Sequence, residues 1–186
     1  MSKLDIVDIL KQEHAQVQEL YNDYKFTKDL EERKKIFNQF IWALCAHSAA
    51  EEAIVYNAIE SAGTQGKELG RKSREDHDEL KKLLADLSTA DDETEFDQKF
   101  DLAFKTFWEH VQMEEEEDIP FLQEHVSLNQ RQNVAQTFLM KKYLIPVRPP
   151  SYLPEKKAAL DLALTVLTTP ADKVRTMFLT QDFPML

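Results

Sequence analysis

Four of the five histidines in this chain fall on a repeat of 63 residues, and the repeat carries their neighbours with it. His14 recurs as His77 (77 − 14 = 63) and His47 as His110 (110 − 47 = 63). Glu51 recurs as Glu114 at the same offset, so the tetrad His-x-x-x-Glu occurs twice, as His47–Glu51 and His110–Glu114. The offset also maps Leu20 on Leu83, Phe37 on Phe100, Ile41 on Phe104, Leu44 on Phe107 and Glu52 on Glu115. Packing positions and polar positions therefore repeat together, which restricts the chain to two like hairpins sharing one interior.

The apolar spacing says what those hairpins are made of. Ile6, Leu10, Val17, Leu20, Tyr21 and Tyr24 recur at helical intervals, and His14 fills the gap in their stripe. A second helix carries Ile36, Phe37, Phe40, Ile41, Leu44, His47, Glu51, Ile54, Val55 and Ala58 inward, with Asp29 and Glu32 as a capping box. Ser61–Gly66 reads as a loop. A third helix presents Leu69, Ser73, His77, Leu80, Leu84 and Leu87. After a turn at Ser88–Asp92, a fourth presents Phe96, Phe100, Phe104, Phe107, His110, Val111, Glu114 and Phe121, with Pro120 expected to kink or end it. Only three glycines in 186 residues favour helix throughout. The expected fold is all-α, an up-down-up-down four-helix bundle with short loops.

The bundle is expected over residues 1–126, with a helical extension over 127–186. Ser127–Tyr143 reads as a shorter helix, residues 145–154 as a proline-rich linker, and Glu155–Leu167 and Pro170–Leu179 as two further helices. The extension is expected to pack on the bundle or on a second subunit. Monomer and homodimer both stay open.

A net charge of −11 argues against nucleic acid or an anionic membrane surface as partner, since both need a basic face. A single cysteine, Cys45, forms no internal disulfide and points to a reducing compartment. The first ten residues lack the apolar core of a signal peptide. No apolar run approaches the roughly 18 residues that span a bilayer. The expected location is the cytoplasm.

The six repeated polar residues carry the chemistry. Residues four apart on a helix lie on one face with about 6 Å of rise between them, so each His and its Glu reach into one cavity. Burying Glu51 and Glu114 face to face is costly unless cations lie between them. Four imidazoles and two carboxylates divide into two metal positions, each with two histidines and one oxygen from each glutamate. Nitrogen and carboxylate donors without thiolate suit iron, manganese or zinc. About four protein donors per metal leave an open position for O2, peroxide or NO. The expected metal ligands are thus His14, His47, Glu51, His77, His110 and Glu114. His125 lacks a counterpart at the offset and reads as a surface or helix-end residue. Cys45 reads as a packed thiol, the Phe stripe of the fourth helix as core, and Glu114–Asp118 as a solvated acidic face in which Glu114 alone keeps the inward phase.

At these residues the chain resembles the haemerythrin-like, or HHE cation-binding, family. The match comprises His14, His47-x-x-x-Glu51-Glu52, Glu75-Asp76-His77, His110-x-x-x-Glu114-Glu115 and Pro120, over about residues 5–125. The Glu-x-x-His mark of the ferritin-like bundle is absent. The resemblance implies a non-haem di-iron centre, two iron ions with an oxo or hydroxo bridge. The oxygen-carrying members have a fifth histidine on the third helix. Here those positions hold Ser73 and Lys81, which leans away from O2 transport. The expected function is binding or sensing of O2 or of reactive oxygen or nitrogen species. Alternatives are a di-iron oxidoreductase acting on O2, peroxide or a small molecule, and a metal-stabilised interaction or iron-sensing module. With no fifth histidine, the two halves offer equal ligand sets and the two metals are expected to be alike.

Overall fold

The structure, a computed structural model, describes residues 4–142 and 144. The expected linker at 145–154 and the helices over 155–167 and 170–179 lie outside the described residues. Among the described residues there is no strand.

Four helical rods form the bundle. The first is α1, Ile6–Phe26, capped by Asp5, whose side chain accepts from the Val7 N–H. The second joins α2 (Leu30–Ala50), a π-helical turn (Glu51–Val55) and α3 (Tyr56–Ser61) without a break. The third is α4, Thr64–Asp86, closed by a 3-10 turn over Leu87–Thr89. The fourth joins α5 (Glu93–Met113), a second π-helical turn (Glu114–Asp118) and α6 (Ile119–His125). A further helix, α7 (Leu128–Lys142), lies against the outside of α1 and α2.

The 63-residue offset governs backbone details too. Asp29 accepts from the Glu32 N–H at 2.9 Å, and Asp92, 63 residues on, accepts from the Glu95 N–H at 2.8 Å. The two π turns begin at Glu51 and Glu114, again 63 apart. In them the N–H of Tyr56 bonds to the Glu51 carbonyl and that of Ile119 to the Glu114 carbonyl, five residues back.

The wide turns change which residues face inward. After the first, Val55, Tyr56 and Ile59 are buried, whereas Ile54 and Ala58, expected inside from a continuous α-helix, are only partly so. After the second, Asp118 and Ile119 are buried. The acidic run is thus not a solvated face apart from Glu114, since Asp118 is also inside, at 2% exposure. Nor does the rod end at Pro120. The proline comes directly after the π turn, where the α-helical bonding is already interrupted, and the helix runs on to His125. The expected loop at Ser61–Gly66 shrinks to Ala62 and Gly63, the latter at φ 126°. Gly66 lies inside α4, where a Cβ would collide with the Ile59 carbonyl, so it sets the close approach of α3 and α4.

Two apolar clusters bracket the middle of the bundle. One contains Tyr24, Phe37, Phe40, Phe96, Phe100 and Phe107, and the other Ile6, Leu10, Tyr56, Ile59, Leu122 and Phe138. Each fully buried side chain of this size stabilises the fold by roughly 1.5–3 kcal/mol. Cys45 packs against the first cluster as expected, and burial pushes its thiol up to about 12. His125 is exposed at the end of α6 and stacks on Phe121 at 4.2 Å.

Candidate metal centre

His14 lies between Leu10 and Val17 on α1, and His47 between Leu44 and Ala50 on α2, so both side chains enter the space between the clusters. His77 of α4 and His110 of α5 enter from the other hairpin. All four rings are nearly inaccessible, as are Glu51 and Glu114 at the starts of the π turns. Their donor atoms fall into two groups, one of His14, His47, Glu51 and Glu114, the other of Glu51, His77 and His110. Within each group the atoms lie within 4.8 Å of one another.

The glutamates link the groups. Glu51 turns Oε1 to His47 Nε2 at 3.2 Å and Oε2 to His77 Nε2 at 3.5 Å. Glu114 turns Oε2 to His14 Nε2 at 3.4 Å and Oε1 to His110 Nε2 at 3.6 Å. Each carboxylate therefore presents one oxygen to each pair of histidines.

A second ring of carboxylates fixes the imidazoles from behind. His14 Nδ1 donates to Glu115 Oε1 at 2.9 Å, and its counterpart His77 Nδ1 donates to Glu52 Oε1 at 3.1 Å. His47 Nδ1 donates to Glu13 Oε2 at 3.0 Å, and its counterpart His110 Nδ1 to Asp76 Oδ2 at 3.4 Å. These acceptors obey the same offset, since 115 − 52 = 63 and 76 − 13 = 63. With Nδ1 held by these carboxylates, every Nε2 turns to the interior, the orientation a metal ligand needs. Glu52 and Glu115 repeat visibly in the sequence, but nothing there says that they point sideways at a ring on another helix. Lys81 does turn outward, and from there it pairs with Glu52 at 2.8 Å.

The centre fits cations on its own electrostatics. His14 Nε2, His47 Nε2, both Glu51 oxygens and Glu114 Oε2 are buried without a hydrogen-bond partner. Such orphaned donor atoms cost stability unless a cation or proton lies among them. Burial, then the charge of Glu114, raises the Glu51 carboxyl well above its usual range. Burial pushes His47 down to about 4 despite its Glu13 hydrogen bond, and lowers His77 likewise, so these two rings stay neutral and ready to bind at ordinary pH. Burial opposes charge on His110 too, but Glu114 and Asp76 outweigh it and raise that ring, so a metal there displaces a proton.

Three polar residues near the centre follow no repeat. Ser73, 63 residues after Leu10, donates its hydroxyl to Asp118 Oδ2 at 2.8 Å. Asp118 stands where the first half has Val55. Its Oδ1 has no partner, and burial with the nearby Glu114 charge raises its carboxyl to about 7. Tyr56 stands where the second half has Ile119. Its hydroxyl donates to Glu114 Oε1 at 3.0 Å and lies 3.1 Å from His77 Nε2 and 3.4 Å from His110 Nε2. Asp118 could have been found from the offset, since its counterpart Val55 reads as inward, whereas Tyr56 needs the π register, which a 3.6-residue period does not contain.

The α7 helix reaches the centre indirectly. Lys142, 6% exposed, sets Nζ 2.8 Å from Glu13 Oε1, and Glu13 in turn holds His47. Burial opposes ionisation of Glu13, but His47 and Lys142 outweigh it and hold its carboxyl below the usual range. Phe138 of the same helix lies 6.3 Å from the His47 ring. At its other end α7 is tied to the start of α1 by Arg131 and Asp5, 2.9 Å apart.

A profile of the haemerythrin HHE cation-binding domain matches residues 5–122. The chain belongs to the haemerythrin HHE cation-binding family. It is also similar to an uncharacterized hemerythrin-like protein of Schizosaccharomyces pombe, 30% identical over 174 residues, covering 92% of this chain and 85% of that one. No solved structure matches. The bundle is the haemerythrin-like four-helix fold that the resemblance implied. α7 lies beyond the matched segment, yet one of its side chains braces a histidine of the centre. Among the described residues no helix is long and apolar enough to cross a membrane.

Proposed function

We propose that this haemerythrin-like chain is a non-haem di-iron protein that binds or senses O2 or a reactive oxygen or nitrogen species. The residues that would hold the metals are His14, His47, Glu51, His77, His110 and Glu114, each glutamate turned to both histidine pairs. The observation that carries this is the convergence of four Nε2 atoms on two carboxylates that each face both histidine pairs, with His14 Nε2, His47 Nε2, both Glu51 oxygens and Glu114 Oε2 buried without a hydrogen-bond partner. A pair of irons bound there would supply the electrons for reaction with O2 or peroxide. The chain's own residues do the rest. Glu13, Glu52, Asp76 and Glu115 hold the four rings in the ligating tautomer. The apolar clusters on either side keep water away. The acidic composition and lone cysteine support a cytoplasmic setting.

A second reading, peroxide turnover, is favoured by Asp118. It is a buried carboxyl that accepts from Ser73 at 2.8 Å and leaves Oδ1 without a partner, available to hold or pass a proton beside the centre. Elemental analysis of the purified chain tests the metal assignment, with two irons per chain expected. A folded chain with no metal would falsify it. O2 and peroxide reactions then separate the readings. A stable, reversible oxygenated spectrum supports binding or sensing, and rapid peroxide loss that is slowed in Asp118→Asn supports turnover. A zinc-filled, unreactive centre overturns both.

A further inference from the structure

We propose that Tyr56 is a seventh protein ligand, a phenolate bound to the metal held by His77 and His110; this rests on the di-metal reading above. The donor geometry around its hydroxyl carries the assignment. Tyr56 Oη, His77 Nε2, His110 Nε2 and Glu114 Oε1 form one buried cluster. Tyr56 lies 3.0 Å from Glu114, 3.1 Å from His77 and 3.4 Å from His110, and the two Nε2 atoms are 3.0 Å apart. Glu52 and Asp76 hold the two rings by Nδ1, so both Nε2 atoms face the phenol oxygen. Four nitrogen and oxygen atoms from different helical segments thus meet in a buried space, and each is of a type that binds a cation. Around a cation they form a normal ligand set. Donors at right angles on an ion with bonds of about 2.1 Å lie about 3.0 Å apart, which is the spacing seen here.

Two further observations agree. Tyr56 is completely buried, and its counterpart in the other half, Ile119, has no ligand atom, so the tyrosine is an addition to the repeat. The Arg74 guanidinium lies 5.4 Å from the centroid of the Tyr56 ring and is held by Glu60 and the Glu52 carbonyl, placing positive charge over a ring that ligation makes anionic. Ligation replaces the O–H bond with an O–metal bond and releases that proton to solvent, and no electron moves. The His77–His110 metal then has two nitrogens, a phenolate oxygen and two carboxylate oxygens, while the His14–His47 metal has two nitrogens and two carboxylate oxygens. Tyr56 thus gives the His77–His110 metal one donor more than its neighbour, and the more open metal becomes the one held by His14 and His47.

The test is optical and uses the full chain loaded with ferric iron, with iron content measured on each sample. The parent is expected to show a phenolate-to-iron charge-transfer band in the visible and phenolate ring modes in resonance Raman. These modes should shift when the protein carries ring-deuterated tyrosine. Tyr56→Phe should lose the band and the modes at unchanged iron content, while Tyr21→Phe should keep both. Because the isotope shift is read on the parent, a poorly folded Tyr56→Phe does not blunt the test. Full iron content without phenolate modes overturns the tyrosine assignment and leaves the di-iron reading standing, as does a band that persists in Tyr56→Phe. A parent chain that binds no metal overturns both.

Discussion

The two halves of the bundle, residues 6–62 and 64–125, are alike wherever a histidine is concerned and unlike in the lining around it. Caps, π turns, the four imidazoles, the two bridging glutamates and the four carboxylates behind the rings all obey the 63-residue offset. Around this shared frame Leu10 faces Ser73 across the repeat, Val55 faces Asp118, and Tyr56 faces Ile119. Glu13 has Lys142 behind it, while its counterpart Asp76 has no such cation from α7. The expectation of two equal halves therefore holds for the histidine and glutamate set and fails for the lining. Duplication supplies a symmetric cage, and single substitutions in it make the two positions chemically distinct.

The largest expected effect tests the shared frame. Because Glu51 and Glu114 each face both histidine pairs, Glu51→Ala or Glu114→Ala should strip both metals, whereas His14→Ala or His77→Ala should cost one. Iron per chain decides it, and a Glu51→Ala chain that retains half its iron would break the bridging arrangement.

The next concerns the lining. In the metal-free chain the Asp118 carboxyl is raised from 3.8 to about 7, so between those values the folded state binds a proton that the unfolded state has lost. Its contribution to stability therefore falls as pH rises through that window and levels off above it. Asp118→Asn removes the penalty, and should gain at most about 4 kcal/mol over the parent at pH 8 and little at pH 4. Urea titrations of both proteins at the two pH values read the difference, from which the opposite trend of His47 cancels. A gain independent of pH would place the Asp118 carboxylate in an ordinary, ionised state.

Lys142 comes third. Lys142→Met keeps the packed stem but leaves the buried Glu13 carboxylate without its cation, and should cost about 2–3 kcal/mol by thermal or urea unfolding. Asp76→Asn on the unbraced side should cost less. Equal losses would mean that α7 contributes packing alone. The smallest effect belongs to the symmetric caps. Asp29→Ala and Asp92→Ala should each cost about 1 kcal/mol, and equally. Unequal losses would show that the two hairpins differ in stability as well as in lining.

Much of this centre was legible from spacing. His14, His47, Glu51, His77, His110 and Glu114 follow from helical phase and a repeat, and the structure gathers their donor atoms into two groups that share Glu51. The Asp29 cap and the helix after Ser127 were also visible. Helical phase misses Tyr56 and Asp118. Nine residues after His47, a continuous α-helix puts Tyr56 about 180° away from the ligand face, and Asp118, eight after His110, about 80° away. A π turn places residues five apart over one another, which rotates both back toward the cavity.

The sequence by itself determined the bundle, its twofold internal repeat and the six polar side chains that share its interior, because apolar periodicity and spacing are properties of the chain taken one helix at a time. The tertiary structure decided which nitrogen of each ring faces inward, what stands behind it and how the halves differ. Those depend on carboxylates from neighbouring helices, on two wide turns that shift the register, and on a lysine from α7 more than 120 residues along the chain from the glutamate it neutralises.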